Sequence, residues 1–186
     1  IYLKNAIKLF EDFRSDKVKL DEVFDVKQLA TLMAVKAIFG TIEFDWRDIK
    51  FYYNPITGLL EPIPDDSWSE VIFYPERKKI NLSNRFYIDE FTRLLFKGLD
   101  FLEMYLSELR RLSNKKYTDK LFKDLEVELS DLNKVFKIYY PRILNIKEIT
   151  KKGIQVNQEK IRLDIEPSQI INSYLKKIDQ NEIIIS

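Results

Sequence analysis

One stretch, IKFYYNPITGLLEPI at Ile49–Ile63, restricts the possible folds of this chain more than any other. Two short aromatic and aliphatic runs, Ile49–Tyr53 and Leu59–Ile63, are separated by Asn54, Pro55, Ile56, Thr57 and Gly58. Asn opens such a reversal, Pro presets φ, and Gly lets the chain turn back on itself. The spacing therefore predicts a β-hairpin over 49–63. A hairpin brings its two outer ends together, and here both ends carry acids. Glu43, Asp45 and Asp48 precede the first run, and Asp65 and Asp66 follow the second. Clustered carboxylate oxygens of this kind suit a hard cation such as magnesium.

Around the hairpin the periodicity is helical. Leu3, Ile7, Leu9 and Phe10 give a first helix a buried face, ending near Ser15 and Asp16. Asp25 is an N-cap with Gln28 placed to complete a capping box. Leu29, Leu32, Met33, Lys36 and Ala37 then form a stripe along the second helix, and Gly40 stops it. Thr41–Asp48 reads as a polar loop, and Ser67–Asn84 as irregular chain with a possible short strand at Val71–Tyr74. From Ile88 onward, Phe91, Leu94, Leu95, Leu99, Leu102, Leu106 and Leu109 recur at helical spacing, with a break at Gly98. Tyr117, Leu121, Leu125, Leu129, Leu132, Phe136 and Tyr139 predict core positions along one long helix ended by Pro141. Further helices are expected to Lys152, over Gln155–Leu163, and from Pro167 to Ile178, with Gly153 as punctuation. The closing EIIIS reads as a strand without a partner. The expected fold is mainly α with a small β-hairpin (α+β): one domain over 1–180, with 181–186 starting a strand of a following segment.

Composition narrows the chemistry. At 45% hydrophobic and 33% charged, a chain of 186 residues can bury a globular core. Its net charge of +1, with acids and bases interspersed, argues against a dedicated nucleic-acid surface. With no cysteine and no histidine, disulfides, thiol nucleophiles, Ser–His–Asp catalysis and imidazole-bound zinc are excluded. Catalysis would have to run on carboxylates, Lys, Arg, Tyr or Ser. No segment approaches the roughly 18 apolar residues of a membrane span. The glycines at 40, 58, 98 and 153 are too scattered for a phosphate-cradling loop. The chain opens at Ile1 inside an amphipathic pattern, and the expectation is a piece of a larger protein.

FDVKQLATLMAVKAIFG at Phe24–Gly40, then FYYNPITGLLEPI at Phe51–Ile63 and an Asp shortly after, resembles the CotH family of atypical kinases. These are relatives of the spore-coat protein kinase, many of them on bacterial cell surfaces. The likeness covers roughly residues 1–67, and the helical remainder follows it loosely. It implies the helical C-terminal lobe of a kinase-like fold, with an N-terminal lobe upstream of Ile1. It implies further that Asp66 holds the metal, that Asp48 is a second ligand, and that Glu43 or Asp45 is the catalytic acid. The implied cofactors are Mg2+ (or Mn2+) and ATP. The implied partners are the rest of the parent chain and a surface or coat protein that accepts phosphate, in the cell envelope or outside it.

The chain departs from the family where Asp48 stands in place of the usual Asn, and where Glu43 stands near a usual Asp or His. Pro64 and Asp65 likewise replace the small or aromatic residues common before the metal Asp. Asp for Asn keeps an oxygen ligand but adds a charge. Two other readings stand beside phosphotransfer: a degenerate scaffold or envelope binding module, and hydrolysis of a glycoside by a carboxylate pair. Trp46 and Trp68 flank the acids, placed either to stack on a ligand ring or to pack the base of the hairpin.

Overall fold

The computed structural model describes residues 2–40, 49–64, 90–141, 146–166, 175–179 and 182–185. Along the chain come α1 (Tyr2–Arg14), α2 (Val26–Phe39), β1 (Lys50–Tyr53), β2 (Leu60–Ile63), α3 (Glu90–Leu95) and α4 (Leu99–Ser113). They are followed by α5 (Lys115–Asp124), α6 (Glu126–Tyr139), α7 (Ile146–Ile165), β3 (Leu175–Asp179) and β4 (Glu182–Ile185). The fold is mainly helical with a small antiparallel hairpin, as the sequence predicts.

Helix α2 is the centre of the molecule. Asp25 caps it, accepting from the Gln28 backbone N–H at 2.9 Å and from the Gln28 side-chain amide at 2.8 Å. The expected capping box does not close, because the Asp25 backbone N–H donates instead to the Leu60 carbonyl at 3.0 Å. The cap residue is thus tied to the hairpin as well as to its own helix. Gly40 ends the helix in the left-handed region at φ 68°, which only glycine adopts without cost. The predicted stripe is too narrow: Ala30, Ala34 and Ile38 are buried along with Leu29, Leu32, Met33, Lys36 and Ala37. Short alanines let α4, α7 and β2 all pack against this one helix.

The hairpin pairs Lys50 with Ile63 through Tyr53 with Leu60. Its turn is held by Asn54, whose Oδ1 accepts from the Ile56 N–H at 2.9 Å and whose amide donates to Glu61 at 2.6 Å. Gly58 sits at φ 74° with open space where a Cβ would be. Gly58→Ala is therefore expected to cost about 1 kcal/mol from backbone strain alone, measurable as a small drop in Tm with the fold unchanged. On the outer edge of β2, the Leu60 N–H donates to the Val23 carbonyl at 2.7 Å, forming a parallel bridge around Phe24. Pro62 lies two residues further on and faces the same way, so its missing N–H removes no bond to β1.

Phe24 is 1% exposed and stands at the crossing of these elements. Its ring lies 5.1 Å from Phe13, 5.2 Å from Phe51, 5.9 Å from Phe91 and 6.3 Å from Phe10. Helix α1, the hairpin and α3 thereby meet in one aromatic cluster.

The helices differ from the sequence reading in four places, the first being α1, where Leu3 and Ile7 of the expected buried face are exposed and Phe13 is the buried residue. The predicted long helix is two, α5 and α6, broken at Leu125 (φ −96°, ψ 17°). None of the residues of α6 is fully buried, and Leu125, Leu132 and Tyr139 are exposed rather than core. Apolar periodicity continued across the break, and periodicity does not say whether a partner exists for each turn. The predicted interruption at Gly153 is absent: α7 runs unbroken through it, with Gly153 buried. A glycine costs a helix interior only about 1 kcal/mol, which packing on α2, α4 and α5 outweighs. Finally, 175–179 is a strand rather than helix, and it pairs antiparallel with 182–185. The closing apolar run therefore has a partner within the chain. Residues 41–48, with the polar loop, and 67–84, with the possible strand at Val71–Tyr74, lie outside the described residues.

Two ion pairs fasten α7 to its neighbours, Lys151 to Asp119 at 2.8 Å and Lys147 to Glu126 at 3.0 Å. The hydrogen bond from each lysine holds its carboxyl below the ordinary carboxylate value, and the lysine charge adds to the effect. A carboxyl with a lowered folded pKa stabilises fully above its unfolded value, and that contribution disappears as pH falls through the folded value. The unfolded values are near 3.8 and 4.5. Tm is accordingly expected to be flat above this range, to decline below it, and to lose part of that pH dependence in high salt.

Candidate functional site

The candidate acids Glu43, Asp45, Asp48, Asp65 and Asp66 lie outside the described residues, as do Trp46 and Trp68. Among the described residues no group of three or more acidic side chains is disposed to hold a metal ion. What the structure does define is the frame from which these segments depart. Phe39, the last residue of α2, and Pro64, just past β2, line one groove of about 720 Å³.

The α2 wall of this groove carries Leu32, Val35 and Phe39 on one helical face, with Gln28 and Thr31 nearer its start. The facing wall is the edge of β2, represented by Pro62 and Pro64. Past Leu60, Pro62 and Pro64 leave that edge with carbonyl acceptors and no N–H donors. Among the described residues, three charged ones also line it. Asp25 has both carboxylate oxygens engaged by Gln28. Lys27 also borders a second depression formed with Asp100, Glu103 and Glu108 of α4. In that depression Glu108 is held by Arg111 at 2.6 Å. Lys36 is only 3% exposed.

Behind the groove, the end of α2 and the α4–α5 corner are each held by an amide side chain that the sequence reading did not single out. A helix leaves its last four carbonyls without intrahelical partners. Asn157 of α7 donates to the Ile38 carbonyl at the end of α2, at 3.1 Å. Its neighbour Gln158 donates to the carbonyls of Leu112, at 2.6 Å, and Asn114, at 3.2 Å, where α4 gives way to α5. One buried pair therefore caps the C-terminal ends of two helices at once. The signal was available: Asn157 and Gln158 fall between Ile154 and Ile161 at core spacing, where polar residues stay only if they are satisfied.

A second surface stands apart from the groove. Helix α6 exposes Val127, Leu132, Val135, Ile138 and Tyr139, with Ile138 at 75%. No described helix is long and apolar enough to cross a membrane. No family model, curated protein or solved structure matches this chain.

Proposed function

We propose that this chain is the helical, acid-bearing portion of a CotH-like atypical protein kinase. Its parent would move the γ-phosphate of ATP to a Ser or Thr hydroxyl of a surface or coat protein. The observation supporting this reading is the hairpin seated on the helix that precedes it in the chain. A capped helix ends at Gly40, strand–turn–strand follows over 50–63, and Asp65 and Asp66 come next in sequence. That order is the one the resemblance carries.

Phosphoryl transfer asks the protein mainly for positioning and charge. Asp66 and Asp48 would hold Mg2+ or Mn2+, whose preference for carboxylate oxygen fits this donor set. The bound ion supplies charge neutralisation on the phosphates. Glu43 or Asp45 would orient the acceptor hydroxyl and take its proton. The bonds from Asn157 to the end of α2 and from Asp25 to β2 would keep the frame fixed while substrate binds. The remaining nucleotide contacts, including a lysine and a phosphate-covering loop, would come from the parent's other lobe, so this chain alone is expected not to turn ATP over.

The test uses the full-length parent with magnesium and γ-labelled ATP, beside Asp66→Asn. Label transfer is expected, and the variant should reduce it roughly a hundredfold or more. Equal transfer by the variant would remove Asp66 from the mechanism. The exposed apolar face of α6 favours a second reading, a kinase-like scaffold or envelope binding module. A folded parent showing neither transfer nor an ATP-dependent rise in Tm would decide for that one.

A further inference from the structure

We infer that α6 pairs antiparallel with α6 of a second copy of this chain, making the protein a two-fold dimer in solution. This does not rest on the phosphotransfer reading and uses one helix, described at every position from Glu126 to Tyr139. Its apolar residues keep the spacing that made Leu125, Leu132 and Tyr139 read as core. Those three fall seven apart, and Glu128 and Val135 stand between them, also seven apart. That alternation is a heptad seam, the pattern by which one helix inserts its side chains into another. Within one copy the seam stays open, with Leu125, Leu132, Val135 and Tyr139 all exposed.

The order of residues along the seam selects the occupant. Glu128, Leu132, Val135 and Tyr139 follow one another from end to end. Turned end for end against itself, the seam sets Leu132 on the partner's Val135 and Glu128 on the partner's Tyr139. The two middle layers are then apolar against apolar. Each outer layer matches a donor with an acceptor, phenol O–H to carboxylate. Among the described residues neither Glu128 nor Tyr139 has a side-chain hydrogen bond or ion pair that would compete. A parallel pairing would stack like on like, Glu128 against the partner's Glu128, and lose both bonds. In the antiparallel one the two Glu128 side chains stand about 16 Å apart along the helices. The other acids of α6 call for no basic partner, since Asp131 is held by Lys134 at 2.8 Å and Glu126 by Lys147 at 3.0 Å. A helix of 14 residues offers a small contact area, so the dimer is expected to be weak and concentration-dependent.

The test is sedimentation of the full chain across a wide range of concentration. A reversible monomer–dimer equilibrium with no larger species is expected, because a two-fold contact closes on itself. Val135→Asp puts a charge into both middle layers and should weaken dimerisation at least tenfold. Its Tm at low concentration should be preserved, since Val135 is half exposed in the single copy. Tyr139→Phe should weaken dimerisation roughly tenfold, two hydrogen bonds to carboxylates being lost. Cross-linking reads the direction, because the chain has no cysteine of its own. Leu132→Cys mixed with Val135→Cys should oxidise to the mixed dimer in preference to either like pair. A monomer at every concentration, an open-ended polymer, or dimerisation indifferent to Val135→Asp would each overturn the inference. Indifference to Tyr139→Phe, or like-with-like disulfides, would overturn the antiparallel register. If Val135→Asp does not fold, the cross-link decides.

Discussion

Phe24→Ala is expected to lower the unfolding free energy by roughly 3–5 kcal/mol, the range for emptying a buried aromatic site. A domain of this kind has only about 5–15 kcal/mol in total. The effect belongs at the upper end because Phe24 touches rings from three different elements: Phe10 and Phe13 of α1, Phe51 of β1 and Phe91 of α3. Collapse to fill the hole would have to move all three together. Denaturant titration measures the loss, and native-state hydrogen exchange locates it. Amides of α1 and the hairpin should lose protection before those of α4 and α7. A loss near 1 kcal/mol, with exchange unchanged in the hairpin, would mean that the aromatic cluster is not what holds the hairpin down.

Gln158→Leu should cost about 2–3 kcal/mol despite conserving volume and adding apolar surface. Gln158 is 1% exposed, and its amide serves the Leu112 and Asn114 carbonyls. Asn114 retains the Tyr117 N–H at 2.9 Å as a donor to its carbonyl, so the main loss falls on Leu112. Asn157→Ala is the informative comparison. It removes the bond to Ile38 but also removes a buried Oδ1 that has no partner among the described residues, so its cost from hydrogen bonding should be smaller. Urea midpoints of the two variants, read with their m-values, check the ranking. If Gln158→Leu were neutral, the α4–α5 corner would not depend on α7 for its polar groups.

The hairpin was legible because its signals are local. Asn54, Pro55 and Gly58 specify a reversal through their own backbone preferences, and the register follows from the turn. The α2 boundaries were legible for the same reason, Asp25 and Gly40 being residues whose conformations end helices wherever they occur. The break at Leu125 was not, since Leu has no turn-forming chemistry and apolar spacing runs through it. Nor was the continuity of α7 through Gly153, where a local breaker is overridden by packing. The same limit applied to the groove. Leu32 reads as core by spacing and is buried, yet it also lines a wall of the groove, because the β2 edge that faces it comes from a distant part of the sequence.

Residue order alone specified helices around the hairpin at 50–63, the absence of imidazole and thiol chemistry, and acids flanking that hairpin in sequence. Those are consequences of single-residue chemistry and short-range spacing. Which helix sits at the centre, which amides cap which carbonyls, and which apolar faces stay uncovered depend on residues far apart in sequence. Asn157 reaches Ile38 across 119 positions, a contact no local preference encodes. It forms because a buried carbonyl must find a donor, and only the assembled helices determine which donor is near.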